Sequence, residues 1–398
     1  MTDSPIITSL LNSDLYKFSM AQAVMLTCPD TRVSYRFKNR GKQRFTKEFV
    51  EALQYHVNTL FPAISLTEDE ANFLKSIRFL KPWFIDALRS YRFDGEEVRI
   101  GLTADNDLEI TIEGLWAKTI FWEVPLMALI SELYFKMVEP EGKTWKWDVQ
   151  DYKASTRRKF DILQMNGCKF SEFGTRRRRS MEVQRAVMEV AVENGYSNFV
   201  GTSNVLLAKE FKCRCVGTMA HEFVMGWSIL GGERHANQIM MQKWMEVYGG
   251  DLGTAITDTF GTDAFLRDFD AVLARQYDSV RQDSGDPFIF VDKIVKHYES
   301  VKIDPLSKTI IFSDSLDAEK CVAIQKYCEN RIKCSFGIGT NLTNNFAGSP
   351  ALNMVIKLYS VDGIPVVKLG DDPGKAMGDS DAVRVAKWIN LGIPLEGR

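Results

Sequence analysis

The chain has 398 residues and a mass of 45.3 kDa, long enough for two or three domains whose cores need no disulfide or metal staple. Hydrophobic residues at 45% and charged residues at 26% are the proportions of a globular protein and exclude a disordered or fibrous chain. A formal net charge of -2 and a pI near 6.2 exclude a general electrostatic grip on nucleic acid or on an anionic membrane.

The opening segment, MTDSPIITSLLNSDLYKF, sets Asp3 and no basic residue ahead of its apolar residues. It lacks the charge order of a signal peptide, and a cytoplasmic location is expected. Helical patterns follow at Leu15 to Met25, Lys47 to Thr59 and Asp69 to Ser90, then a strand at DLEITIEG. Residues 1–115 read as an α/β layer of their own. From Ile120, IFWEVPLMALISELYF is interrupted by Glu123, Pro125 and Glu132, too soon for a membrane span, and reads as a buried helix.

From about residue 169 one pattern repeats: a short apolar run, a Gly, Ser, Thr or Asp, then a helical stretch. The runs are KFSEFGT, SNFVGTSN, CRCVGTMAH, GTAITDT, DSVRQDSG, TIIFSDS and CSFGIGT. Strands alternating with amphipathic helices pair in parallel through right-handed crossovers. Seven such units favour a β/α barrel across 116–345, with an open doubly wound sheet as the alternative. A barrel carries its chemistry where its strands end. In the tail, 346–398, NMVIKLYSVDGIPVVKLGDDPGK holds two alternating runs joined by Asp362-Gly363, a hairpin signal. The hairpin is expected to return to the N-terminal layer. Seven cysteines without paired metal-ligand spacing read as reduced thiols.

Several of the strand-end loops have the composition of a site. In SEFGTRRRRS, Gly174-Thr175 reads as an N-cap, which puts Arg176 to Arg179 in a helix's first turn, where the macrodipole disfavours cations. A bound anion, a phosphate above all, would offset the conflict, with one or two of the four arginines facing it. A nucleic-acid patch is the other reading, but no aromatic residue interleaves the run. GIGTNL, from Gly337, can offer backbone N–H groups to a phosphate. GDDPGKA, residues 370–376, lacks one residue of a P-loop and has Ala376 in place of the Mg²⁺-binding hydroxyl, so ATP would bind elsewhere. Arg281 and Asp283, two apart at a strand end, point into one mouth. Asp258 and Asp314 stand at equivalent ends, where carboxylates hold ribose hydroxyls or Mg²⁺, or singly cap the next helix. His221, one of four histidines, falls just after a strand end. A neutral imidazole there is a nucleophile or base, or else a ring that fills the core. Glu222 would orient it only if the backbone turns.

Taken together, LNSDLYKFSM near the N-terminus, FGTR (Phe173 to Arg176), GTSN (Gly201 to Asn204), GTMAHE around His221, RQDSGDP from Arg281, FGIGTNL from Phe336 and KLGDDPGK from Lys368 resemble the bacterial nicotinate phosphoribosyltransferase family. The resemblance covers nearly the whole chain. It implies an irregular β/α barrel of the type II phosphoribosyltransferase kind, packed with an α/β sandwich built from the N-terminal part and the C-terminal tail. It also implies a reaction in which nicotinate displaces pyrophosphate from phosphoribosyl pyrophosphate, forming nicotinate mononucleotide for NAD salvage. ATP hydrolysis would drive that reaction with Mg²⁺, through a phosphohistidine at His221.

Further roles follow from the same resemblance. Phe173 and Tyr16 would sandwich the pyridine ring, with Tyr16 from the same chain or from the partner in a homodimer. Arg176 and Arg281 would meet the pyrophosphate and the nicotinate carboxylate. Thr202, Asp283, Asp314, Gly339 and Thr340 would bind phosphoribosyl pyrophosphate, and Asp258 and Asp283 are the candidates for Mg²⁺. Ser203 stands where nicotinamide-using members carry an aspartate; a serine donates to a carboxylate that an aspartate would repel, which favours nicotinate. The rival readings are a nicotinamide or quinolinate phosphoribosyltransferase, the latter needing neither ATP nor a phosphohistidine, and a protein that grips nucleic acid through Arg176 to Arg179.

Overall fold

Strands and helices alternate along a computed structural model that describes residues 4–139, 147–372 and 376–395. The strands, in chain order, are β1 (Arg32–Asn39), β2 (Val98–Leu102), β3 (Leu108–Leu115), β4 (Phe170–Glu172), β5 (Phe199–Thr202), β6 (Thr254–Ile256), β7 (Ser279–Gln282), β8 (Thr309–Phe312), β9 (Lys333–Ile338), β10 (Asn345–Phe346), β11 (Ser349–Pro350), β12 (Met354–Val361) and β13 (Ile364–Pro365). Those from β4 to β9 form one parallel sheet in the order β5-β4-β9-β8-β7-β6. Six of the seven apolar runs are therefore strands. The missing one, CRCVGTMAH, lies between the outer strands β5 and β6 but contributes a single parallel bridge, Thr202 to Cys215, and a Thr218 hydroxyl 3.3 Å from the Thr254 carbonyl.

The cause of this irregularity is the helix Leu15–Thr27, wedged against that segment. Ser19 donates its hydroxyl to the Thr218 carbonyl. Gly217, at φ 145°, lies so close that an added Cβ would be 3.3 Å from the Tyr16 nitrogen. The barrel is completed by an element from the opposite end of the sequence.

The second sheet is antiparallel, ordered β13-β12-β1-β3-β2. The tail does return: β12 pairs with β1 from Val33↔Val361 to Asn39↔Met354. Asp362 and Gly363 take φ 47° and 79°, the left-handed pair that a two-residue hairpin matching strand twist requires. In β3 buried and exposed residues alternate, placing Leu108, Ile110 and Ile112 in the core. The helix Glu123–Met137 is buried on nearly all sides, and its Pro125 falls in the first turn, where a missing N–H costs nothing. The pattern at 69–90 divides into Glu68–Lys75, started by a Thr67/Glu70 capping box, and Pro82–Ser90. Pro82 cannot continue a helix but can begin one.

The arginine run is not where the sequence suggests. Thr175–Arg177 make one 3₁₀ turn, Arg178 is extended, and the helix starts only at Met181, capped by Ser180 Oγ at 3.2 Å from the Val183 nitrogen. The arginines precede the helix, so no dipole conflict exists there. In KLGDDPGK, residues Pro373 to Lys375 lie outside the described residues. Among the described residues no helix is long and apolar enough to cross a membrane.

Candidate active site

The strand ends of the barrel open on a cavity of about 890 Å³, which Tyr16, Phe173, Arg176, Ser203 and Arg281 line together. Phe173 leaves β4 and lies flat on β9: a Cβ at Gly337 would be 2.3 Å from its ring, so only glycine admits it. Its nitrogen donates to the Ile338 carbonyl at 2.8 Å. Tyr16 enters from the first turn of its helix, with Arg176's guanidinium 5.9 Å from its ring centre. Ser203 donates its hydroxyl to Asp14 Oδ1 at 2.8 Å, and its carbonyl accepts the Leu15 nitrogen at 2.8 Å. Burial pushes the Asp14 carboxyl up, opposed by Arg176 and the Ser203 hydrogen bond. Thr202 is fully buried; its hydroxyl donates to Glu172 Oε2 at 2.6 Å, its N–H donates to the Arg214 carbonyl, and its carbonyl accepts the Val216 nitrogen.

The two phosphate-type loops interlock. Thr343 donates its hydroxyl to the Gly174 carbonyl at 3.0 Å, its own carbonyl accepts Arg179 N–H at 2.9 Å, and Asn344 Nδ2 donates to the Arg177 carbonyl at 2.9 Å. Gly339 and Thr340, at the start of the short helix Thr340–Thr343, are thus tied to the arginine turn, and Asp314 follows β8 at the same rim. Of the four arginines, Arg176 reaches the cavity. Arg178 is sealed inside, bonded to Asn12 and Gln184, and Arg179 is held between the rings of Phe135 and Phe346 at 3.6 and 4.3 Å.

His221 is the first residue of the helix His221–Leu230, whose N-terminus no side chain caps. Its Nδ1 is 3.1 Å from Thr259 Oγ1. Its Nε2 is 2.9 Å from Lys368 Nζ, 3.1 Å from Asp283 Oδ2 and 3.6 Å from Asp258 Oδ1. Asp283 Oδ1 in turn meets Arg281 at 3.2 Å and Ser313 Oγ at 2.8 Å, so a continuous chain of contacts links the imidazole to the cavity. Burial, then Lys368, push the imidazole pKa down to about 4. Burial would raise the Asp283 carboxyl, but Arg281 and His221 hold it well below the usual range. Nδ1 faces a hydroxyl that can donate or accept, whereas Nε2 lies between the Asp283 Oδ2 acceptor and the Lys368 ammonium, which also pairs with Asp258 Oδ2 at 3.1 Å. With the proton on Nδ1, Nε2 is the nitrogen that carries a lone pair toward Lys368. Glu222 does not orient the ring. The backbone continues as helix, and its carboxylate accepts from Tyr35 Oη at 3.0 Å, Trp116 Nε1 at 3.1 Å and Lys17.

The chain as a whole is similar to known proteins. The nicotinate phosphoribosyltransferase family profile matches residues 168–389, and that of its N-terminal domain matches residues 11–131. A nicotinate phosphoribosyltransferase of Methanosarcina mazei is 48% identical over 96% of this chain and 98% of its own length, and one of Chromohalobacter salexigens is 42% identical over 96% and 98%. The crystal structure of nicotinate phosphoribosyltransferase from Porphyromonas gingivalis superposes with a TM-score of 0.93 at 40% identity, covering 98% of this chain and 100% of that one. The chain belongs to the nicotinate phosphoribosyltransferase family.

Within this family member the structure adds groups that the sequence reading did not single out. Lys368 was visible only as the start of KLGDDPGK. Asp14 opens the segment that carries Tyr16. Thr259 adjoins Asp258. Lys357 sits in an alternating strand, where a lysine reads as solvent-facing; burial pushes its pKa down to about 8, against the pull of Glu123. For Mg²⁺ the donors fit in kind: two carboxylates converge, and Asp258 Oδ1 is buried with no hydrogen-bond partner. Among the described residues no group of three or more His, Cys, Asp or Glu forms a ready-made metal cage.

Proposed function

We propose that this chain is a nicotinate phosphoribosyltransferase that joins nicotinate to 5-phosphoribosyl 1-pyrophosphate, and that it couples this to ATP hydrolysis through His221. The observation that carries the reading is the contact chain Arg281–Asp283–His221, which puts a cavity cation and a buried neutral imidazole at one rim. Phe173 and Tyr16 hold the pyridine ring, and Arg281 and Arg176 meet the nicotinate carboxylate and the pyrophosphate. Gly339 and Thr340 take the 5′-phosphate, while Asp283 and Asp314 take ribose hydroxyls. The pyridine nitrogen then forms the bond to the ribose C1 carbon as the bond to pyrophosphate breaks. The leaving group's charge is met by arginine, and carboxylates face the positive charge developing on the sugar.

In the ATP half-reaction Lys368 gives up Nε2 to meet phosphate oxygens. Nε2 forms a bond to the γ-phosphorus while the electron pair of the broken P–O bond leaves with ADP. The phosphoryl group lies at an uncapped helix N-terminus, where the macrodipole favours negative charge. Asp258 and Asp283 would hold Mg²⁺, which supplies positive charge to the phosphates. Ser203, its hydroxyl turned to Asp14, spares the pocket the second carboxylate that an aspartate would add there and so favours nicotinate over nicotinamide.

Incubating the protein with nicotinate and phosphoribosyl pyrophosphate, with and without ATP, tests the reaction; the mononucleotide is expected, in higher yield with ATP. Label from γ-³²P-ATP should enter the protein and be lost in His221→Ala. Product from quinolinate alone, independent of ATP, would overturn the reading.

A further inference from the structure

Behind the cavity wall, joined to Arg176, lie three buried charges that the reaction does not use: Lys17, Glu123 and Glu222. Lys17 is 0% exposed, and its ammonium sits between two carboxylates from different helices, 2.5 Å from Glu123 Oε2 and against Glu222 Oε2. Glu123 turns its other oxygen to Arg176, at 3.4 Å. Glu222 directly follows His221, and its other oxygen is fixed by Tyr35 and Trp116. The row therefore runs Arg176, Glu123, Lys17, Glu222, from the cavity arginine to the first turn of the helix that His221 begins. Glu123, Lys17 and Glu222 do not line the cavity.

Such a row is costly. Desolvating buried ions takes back much of what their pairing returns, and a packed apolar trio would join the same helices at least as well. Burial would raise the Glu123 carboxyl, yet Lys17 first among its neighbours holds it down at about 2, so Glu123 stays charged. Lys17 is the only member shared between two acids, and whatever draws it toward Glu222 loosens its hold on Glu123.

Resting on the phosphohistidine reading above, we propose that Lys17 is a positioning residue that couples the state of His221 to the anion grip of Arg176. A phosphoryl group on His221 adds close to two negative charges at the helix N-terminus whose second residue is Glu222. The Lys17 ammonium shifts toward that end, and Glu123, released from it, pairs more firmly with Arg176 and fixes the guanidinium toward the cavity. Binding of the phosphoribosyl pyrophosphate is tightened in the phosphorylated protein by this route.

The test is the dissociation constant of phosphoribosyl pyrophosphate, by calorimetry on the full chain before and after phosphorylation by ATP. Wild type should bind about five-fold tighter or more once phosphorylated. Lys17→Met should bring that ratio below about two-fold, and Lys17→Arg, which keeps the charge, should restore it. A role confined to stability would weaken both states equally and leave the ratio unchanged, as would coupling that passes through Asp283 alone; either result overturns the proposal. If thermal melts show Lys17→Met unfolded, Glu222→Gln carries the same test, since it keeps an acceptor for Tyr35 and Trp116. Mononucleotide formation by a wild type with no difference between the states would sink the coupling but spare the transferase reading.

Discussion

The chemistry of His221 is set by its surroundings. Its pKa, down at about 4 through burial and then Lys368, lies below the ordinary 6.5, so between those values the unfolded chain binds a proton that the folded one does not. Stability from this group is full above about pH 6.5 and is lost as pH falls toward 4, by roughly 3 kcal/mol for an isolated shift of this size. Chemical denaturation at pH 7.5 and 4.5 should show a smaller loss in His221→Gln than in wild type; equal losses would contradict the buried neutral ring. At Ser203 the hydroxyl touches Asp14, so Ser203→Asp sets two carboxylates side by side on the wall of the cavity, where we propose that nicotinate binds. We expect KM for nicotinate to rise about ten-fold or more, with folding intact; unchanged kinetics with both pyridines would refute the assignment. Residues of this kind were legible when they ended an apolar run, as Arg281 and Asp283 do. Glu123 and Glu222 were not, because their partner Lys17 is far away in sequence, 205 residues in the case of Glu222, and no local pattern announces a buried ion pair.

At the scale of elements, the parallel strands were readable because each is an apolar run closed by a small or polar residue. β1 and β2 escaped notice: Arg32, Arg36 and Lys38 interrupt β1 on its exposed face, leaving no long apolar stretch. The arginine turn was misplaced because two cap-like signals, Gly174-Thr175 and Ser180, stand close together, and only Ser180 accepts a helix N–H. Ser180→Ala should therefore cost about 1 kcal/mol in urea unfolding, whereas Thr175 has no cap to lose. Close packing of β9 on Phe173 makes a sharper prediction. Gly337→Ala drives a methyl into the ring, so KM for nicotinate should rise several-fold, about ten-fold at most, while binding of the 5′-phosphate, read with ribose 5-phosphate, changes little. Equal losses in both would indicate general disruption of β9.

For the molecule as a whole, the barrel and the antiparallel sheet were legible as classes, and their mutual dependence was not. The helix Leu15–Thr27 fills the seam between β5 and β6, and β12, from the tail, lies between β1 and β13. Truncation before Met354 bares the β1 edge and removes Lys357 and Lys368 together; such a chain should aggregate rather than persist as a free barrel, which size-exclusion chromatography would reveal. This threading also fixes an order of assembly: the ribosome releases the barrel strands before β12 and Lys368, so the imidazole meets its lysine only after the parallel sheet has been made.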